Sequence, residues 1–196
     1  MLWHEAGHFV ASLYNQRFFG KYGTEAIFIY KHYLSNNTTD YTGSQKPRKP
    51  PNYNSADPIK HPASWVGSLA YGCFFQSIFC GQAFSICFSF ENDGANGFED
   101  FKDVKTASQR FGLSPEEFEW LLSIIADQFN SIKECGEFKT LFSIDIDSFI
   151  LSDEDEIQIN LDDFELIISG FMTVHEEAYL GFIHKLEFVF GSHICK

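Results

Sequence analysis

The chain has 196 residues, with 27 acidic against 14 basic side chains and a net charge of −13. This length fits one domain with a sizeable core. The acidic balance argues against a nucleic-acid-binding protein, because such proteins neutralise phosphates with a basic face. The five cysteines are odd in number and include no C-x-x-C pair, which favours the reducing cytoplasm over secretion. No basic n-region or cleavage site typical of a signal peptide stands at the start.

An H-E-x-x-H motif lies in the first predicted element, a helix from about Leu2 to Gln16. Positions i and i+4 share one face of a helix, so His4 and His8 can bind the same metal ion. Imidazole nitrogen suits zinc, and a neighbouring carboxylate can take the proton of a zinc-bound water. The motif therefore predicts His4 and His8 as metal ligands and Glu5 as the catalytic base of a zinc hydrolase.

The flanks of the motif are apolar, which predicts that the helix is mostly buried. Burying two histidines and a glutamate is costly unless a partner satisfies them, and a metal ion would do so. The alternative is a protein without a metal, in which His4 and His8 are hydrogen-bonded in the core and Glu5 faces solvent.

Two strands and a loop are predicted next. Residues Glu25 to Lys31 are rich in strand formers, and a partner strand is expected near Thr39–Thr42. The Pro-rich stretch from Ser44 to Ala56 predicts a loop, which contains the only basic cluster of the chain.

The stretch from Ser68 to Phe90 has no charged residue and is long enough to span a bilayer. Its polar residues favour a buried helix at about Ala63–Phe79 followed by a turn at Gly81; a membrane span is the alternative. Cysteines recur there at seven-residue intervals, which would place them on one side of a continuous helix.

The third zinc ligand is expected to be a carboxylate near the start of a helix from about Glu99 to Phe111. At about 100° per residue, Asp100 lies near the apolar face of this helix and Asp103 toward its edge. Asp100 is therefore the predicted ligand, with Asp103 as the alternative. If Glu91 were the third ligand instead, the chain would belong to another clan of zinc proteases than one with an aspartate ligand.

The sequence His4-Glu5-Ala6-Gly7-His8 resembles the peptidase domain of FtsH-type membrane metalloproteases, and more closely the stand-alone relatives of that domain. The resemblance covers roughly residues 1–135. It implies that Gly67-Ser68-Leu69-Ala70 is the family's small-residue stretch and that a helix led by aspartate supplies the third zinc ligand. It also implies that strands beside the cleft can bind an extended substrate. The family has a glutamate after the small-residue stretch, where this chain has Tyr71 and Gly72, and no ATP-binding phosphate loop is present.

The second half of the chain is predicted to be scaffold. Ser114 and Pro115 begin a helix, another is expected at Glu137–Phe142, and the acidic residues 145–165 are expected to form a solvated loop. Two further helices are predicted, from Asn160 or Leu161 to Phe171 and from Thr173 to Val189. His175 and His184, within the second of these, are interpreted as surface residues.

These observations predict a mainly α, α+β fold: a helical zincin-like peptidase domain over residues 1–196, with a small β-hairpin near the motif helix. Residues 1–135 would form the metal-site core and 136–196 a C-terminal helical extension. The predicted function is an ATP-independent, cytoplasmic zinc metalloendopeptidase that acts on peptides or flexible protein segments. Its cofactor is Zn²⁺, and neither a nucleic acid nor a membrane is an expected partner. The alternative is a catalytically inactive module of the same fold that binds or supports other proteins.

Overall fold

The computed structural model describes residues 2–20, 23–36, 38–48, 61–89, 97–134 and 154–194. The fold is mainly helical with one small antiparallel sheet, as predicted. The helices are α1 (Leu2–Phe19), α2 (Pro62–Cys80), α3 (Phe84–Cys87), α4 (Phe98–Arg110), α5 (Pro115–Glu134) and α6 (Leu161–Ile194). The strands are β1 (Thr24–Tyr33), β2 (Thr39–Pro47) and β3 (Glu156–Ile159). The predictions at Glu91, within residues 49–56 and at Glu137–Phe142 lie outside the described residues.

Helices α1 and α2 pack backbone against backbone at the motif. A Cβ atom on Gly7 would overlap the carbonyl oxygen of Tyr71 and would lie 2.9 Å from the Cα of Gly72. Only glycine allows this approach. The Ala6-Gly7 pair of the motif therefore has a structural purpose, because it brings the face of α1 that carries the two histidines onto α2.

The sheet has the order β2-β1-β3, and both pairings are antiparallel. The hairpin is longer than predicted, since Ser44 pairs with Phe28 and Gln45 with Ile27. The prediction that the loop begins at Ser44 was therefore wrong; polar residues form a strand here because β2 has a long, regular partner and lies at the sheet edge.

Strand β3 lies inside the segment that was predicted to be a solvated loop. Ile157 and Ile159 are 6% and 2% exposed and alternate with polar neighbours. An alternation of apolar and polar residues over only four positions is too short to predict a strand within a strongly acidic segment. The part of the chain after residue 135 thus contributes a strand as well as a helix.

Helix α2 confirms the buried helix predicted at Ala63–Phe79, and it ends at Gly81 in the left-handed conformation (φ +68°). The helix end separates Cys80 from Cys87, so the continuous helix that would have placed the cysteines on one side does not form. Cys73 and Cys87 are buried and Cys80 is exposed. Among the described residues, no helix is long and apolar enough to cross a membrane.

Helix α6 is one continuous helix where two were predicted, and it packs on α1, α2 and α5. His175 was predicted to be at the surface, but it is only 7% exposed. Its ring stacks on that of Phe171, one helical turn earlier, with ring centroids 4.4 Å apart. The aromatic neighbour four residues away explains why this histidine faces inward. His184 is exposed, as predicted.

Three tyrosines in the core connect helices α1, α2 and α6. Tyr14 of α1 stacks on Tyr179 of α6 with centroids 4.5 Å apart, and Tyr71 of α2 meets Tyr179 edge to face at 5.0 Å. The Tyr179 hydroxyl donates to Asn15 Oδ1 at 2.8 Å, and the Tyr14 hydroxyl donates to the Met172 carbonyl at 2.8 Å. These satisfied aromatic contacts fix α1 and α2 against one long helix.

Candidate metal centre

Three ligand-type side chains from two helices meet at one point. His4 Nε2 lies 3.0 Å from Asp100 Oδ2, and His8 Nε2 lies 3.3 Å from the same oxygen. The two Nε2 atoms are 3.0 Å apart. The side chains are 5%, 14% and 13% exposed for His4, His8 and Asp100. The motif helix and the first turn of α4 therefore converge as the sequence predicted.

Each histidine is oriented through its other ring nitrogen. His8 Nδ1 donates to the main-chain carbonyl of Ser68 at 2.8 Å, and His4 Nδ1 lies 3.0 Å from Gln76 Oε1. The amide of Gln76 is itself held, since its Nε2 donates to Gln82 Oε1 at 3.0 Å. A carbonyl oxygen can only accept, so these partners place a ring proton on Nδ1 and turn Nε2 toward Asp100, where it can bind either a metal ion or a second proton.

This arrangement fits a zinc ion. Two imidazole lone pairs and a carboxylate oxygen would repel one another at these distances unless a metal ion or additional protons lay between them. In a tetrahedral site with zinc bonds of about 2.0–2.2 Å, nitrogen and oxygen ligands lie about 3.3–3.6 Å apart. The distances of 3.0–3.3 Å among the three atoms lie at or up to about 0.3 Å below the lower end of that range, so a small outward shift would accommodate the ion. Two imidazoles and one carboxylate are a ligand set typical of catalytic zinc.

Gly72 makes room for the second histidine. A Cβ atom on Gly72 would lie 2.5 Å from His8 Cε1 and 2.6 Å from His8 Nε2. The ring of His8 thus lies directly on the backbone of α2. The departure from the FtsH pattern at Tyr71 and Gly72 therefore lies beside the ring of His8, which a side chain at position 72 would displace.

A thiol also approaches the centre. Cys73 Sγ lies 3.7 Å from Asp100 Oδ2, and the ligand atoms of His4, Cys73 and Asp100 all lie within 4.8 Å of one another. Two overlapping donor sets therefore share His4 and Asp100. The set with His8 has the tighter spacing and matches a zinc site more closely.

The charges of the centre depend on one another. Burial alone would lower the pKa of His8, but the charge of Asp100 and the hydrogen bond to it raise this pKa to about 9. Burial alone would raise the pKa of Asp100, but the two histidines hold it well below its usual range. Burial and the charge of Asp100 raise the pKa of the Cys73 thiol well above its usual range. Protons on His8 and Cys73 are therefore held tightly beside the Asp100 carboxylate, and a metal ion that binds these groups must displace them.

Glu5 is buried, at 5% exposure, between α1 and the edge strand β2. A Cβ atom on Gly43 would lie 2.5 Å from Glu5 Cγ and 2.7 Å from Glu5 Oε1, so the carboxylate rests against the middle of β2. The side chain of Gln45 fixes this contact, because its Nε2 donates to the Glu5 carbonyl at 2.6 Å. The metal-free alternative is therefore wrong in placing Glu5 at the surface, but its other part, two histidines hydrogen-bonded in the core, agrees with the contacts of His4 and His8.

The structure brings together most of the residues that the motif singled out. His4, His8 and Asp100 meet, whereas Asp103 is exposed on α4. Reading the sequence missed Gln76, Gly72 and Cys73 as members of the site. Gln76 had one signal, namely a polar side chain in an uncharged, apolar stretch, but its partner lies 72 residues away.

No protein-family model, curated protein or solved structure matches the chain. The resemblance to the FtsH-type peptidase domain therefore stays a prediction from the motif.

Proposed function

We propose that the chain is a zinc-dependent metallopeptidase, similar to a stand-alone FtsH peptidase domain, that hydrolyses peptide bonds without ATP. The observation that carries this proposal is the convergence of His4 Nε2, His8 Nε2 and Asp100 Oδ2 within 3.3 Å of one another, next to a buried glutamate. A cytoplasmic location is part of the same proposal.

Three residues would bind the zinc ion, and two further groups would orient the histidine ligands. His4, His8 and Asp100 would bind zinc, while Gln76 and the Ser68 carbonyl hold the two imidazoles in the tautomer that leaves Nε2 free to bind. The bound zinc would lower the pKa of a water molecule and polarise the substrate carbonyl.

Glu5 would accept the proton of the attacking water and pass it to the leaving amine. Its burial against Gly43 keeps this carboxylate in one position and away from bulk water. A fixed base near the bond to be cleaved contributes typically 10²–10⁴-fold to the rate.

The substrate we propose is an extended peptide or a flexible protein segment. Strand β2 lies at the edge of the sheet, and Gly43 in its middle touches Glu5. The backbone of an edge strand can pair with an extended chain, and this pairing would place the chain beside the base.

Replacing Glu5 by Gln tests the assignment. Glu5→Gln keeps the shape of the side chain but cannot take a proton, so zinc should stay at about one per chain while hydrolysis of a quenched fluorescent peptide library falls on the order of 10²–10⁴-fold. Glu116→Gln, at an exposed glutamate of α5, is the matched control and should leave both values unchanged. Full turnover by Glu5→Gln with its zinc retained would remove Glu5 from the mechanism.

The second candidate is an inactive module that keeps the fold. The chain has Tyr71 and Gly72 where the resembled family has a glutamate, and this difference favours such a module. Metal analysis of the purified protein separates the two candidates. No bound zinc, together with an unfolding temperature that a chelator does not change, would support the inactive module.

A further inference from the structure

A fourth donor stands beside the three proposed ligands. The thiol of Cys73 is fully buried on α2 and lies 3.7 Å from Asp100 Oδ2. This is the same carboxylate oxygen that His4 and His8 approach.

The distance matches a shared metal ion. With zinc–sulfur and zinc–oxygen bonds of about 2.3 and 2.1 Å, a tetrahedral site separates sulfur from oxygen by about 3.6 Å. The separation of 3.7 Å between Cys73 Sγ and Asp100 Oδ2 is close to this value. The ligand atoms of His4, Cys73 and Asp100 all lie within 4.8 Å of one another, whereas His8 is not among the donors that close to the sulfur. His8 and the thiol would therefore have to move toward each other to bind one ion.

A glycine at the start of α4 permits this approach. Gly97 is the residue before the helix, and a Cβ atom there would lie 2.6 Å from Cys73 Sγ and overlap the Cys87 carbonyl. Because Gly97 has no side chain, the first turn of α4 can lie against Cys73, and Asp100 in that turn faces the thiol.

We propose that Cys73 is the fourth ligand of the metal in the resting protein, which would make the site a closed four-coordinate centre. Closed tetrahedral sites are typical of structural zinc, whereas catalytic sites keep one position for water. On metal binding the thiol releases one proton to solvent as its sulfur bonds the ion. Water enters when that bond breaks and the sulfur takes a proton again. The inference rests on the metal centre of the proposed function and adds a regulatory step to it, because the site hydrolyses peptides only after Cys73 leaves.

Cobalt substitution tests this proposal independently of activity. Co²⁺ replaces zinc in such sites, and a thiolate ligand gives it an intense near-ultraviolet charge-transfer band that nitrogen and oxygen ligands do not give. We expect the band in the wild-type protein loaded with one Co²⁺ per chain. Cys73→Ser and Cys73→Ala should lose the band while they still bind cobalt. Cys80→Ser, at an exposed cysteine of the same helix, should keep it.

The outcomes separate this inference from the proposed function. Bound cobalt without the charge-transfer band in the wild-type protein would overturn the role of Cys73 and leave the three-ligand site standing. Failure of the wild-type protein to bind either Co²⁺ or Zn²⁺ would overturn both proposals. Peptide hydrolysis by zinc-loaded Cys73→Ala should rise several-fold if the thiolate blocks the water position. An unchanged or lower rate would contradict the regulatory step even if the band is present.

Discussion

Replacing Gly72 by Ala should disrupt the metal centre without altering any proposed ligand. The new Cβ would lie 2.5 Å from His8 Cε1 and 2.6 Å from His8 Nε2. The ring must withdraw by about 0.9 Å to reach ordinary van der Waals contact at 3.4 Å. Metal–ligand distances in proteins vary by only about 0.2 Å. His8 therefore cannot keep both its contact with α2 and its place at the metal.

The expected effects on binding and stability differ. Zinc affinity should fall at least on the order of 100-fold, which is the upper range for losing a group that merely orients a ligand. Overpacking costs about 1–3 kcal/mol, but alanine improves the helix by about 1 kcal/mol over glycine. The free energy of unfolding in chelator should therefore change by no more than about 2 kcal/mol.

The assay is a zinc titration against a chromogenic chelator, together with denaturant unfolding in EDTA. Gly181→Ala is the matched control, because a Cβ there meets nothing within 4 Å; it should bind zinc normally and gain about 0.5–1 kcal/mol. In a His8→Ala background the steric cost of Gly72→Ala should vanish, which a double-mutant cycle measures. If Gly72→Ala binds zinc with wild-type affinity, His8 does not bind zinc from its position against α2.

Two further predictions concern orientation and pH. Gln76→Leu keeps the size of the side chain but removes the hydrogen bond to His4, so zinc affinity should fall about 10–100-fold in the same titration. The pKa of His8 is raised to about 9, so its contribution to stability in the metal-stripped protein is complete below about pH 6.5 and disappears as pH rises through 9. The free energy of unfolding in EDTA should fall by about 3 kcal/mol between pH 6.5 and pH 9, and Asp100→Asn should remove most of this dependence on pH. Over the same interval, zinc binding must displace this proton and, if Cys73 is a ligand, the thiol proton as well. Each displaced proton lowers the apparent dissociation constant about tenfold per pH unit, so we expect about 100-fold per unit in the wild-type protein and about tenfold in Cys73→Ala. A zinc affinity that does not change between pH 7 and pH 9 would contradict the raised pKa.

Local patterns predicted the parts of the site that lie on one face of one helix. The spacing of His4 and His8 is a property of α1 alone, and the inward position of Asp100 followed from counting turns in α4. The helix start at Ser114 was also local, because its hydroxyl accepts from the Glu117 amide at 3.2 Å while the Glu117 carboxylate accepts from the Ser114 amide at 2.7 Å.

Contacts between distant segments could not be predicted in this way. Gln76, Gly72 and Cys73 belong to the site only because Gly7 lets α1 lie directly on α2, and no pattern within α2 reveals which side meets α1. Strand β3 was missed for a related reason, since its identity as a strand comes from pairing with β1, more than a hundred residues earlier in the chain.

The late position of β3 has a consequence for synthesis of the protein. Every proposed metal ligand lies within the first 100 residues, yet β1 receives its second neighbour only when Glu156–Ile159 have been made. During translation the donors would be outside the ribosome while one side of β1 still offers unpaired amides and carbonyls to other chains. Early capture of zinc would hold α1 and α4 together in that interval, so zinc supply during growth should govern the soluble yield of the protein.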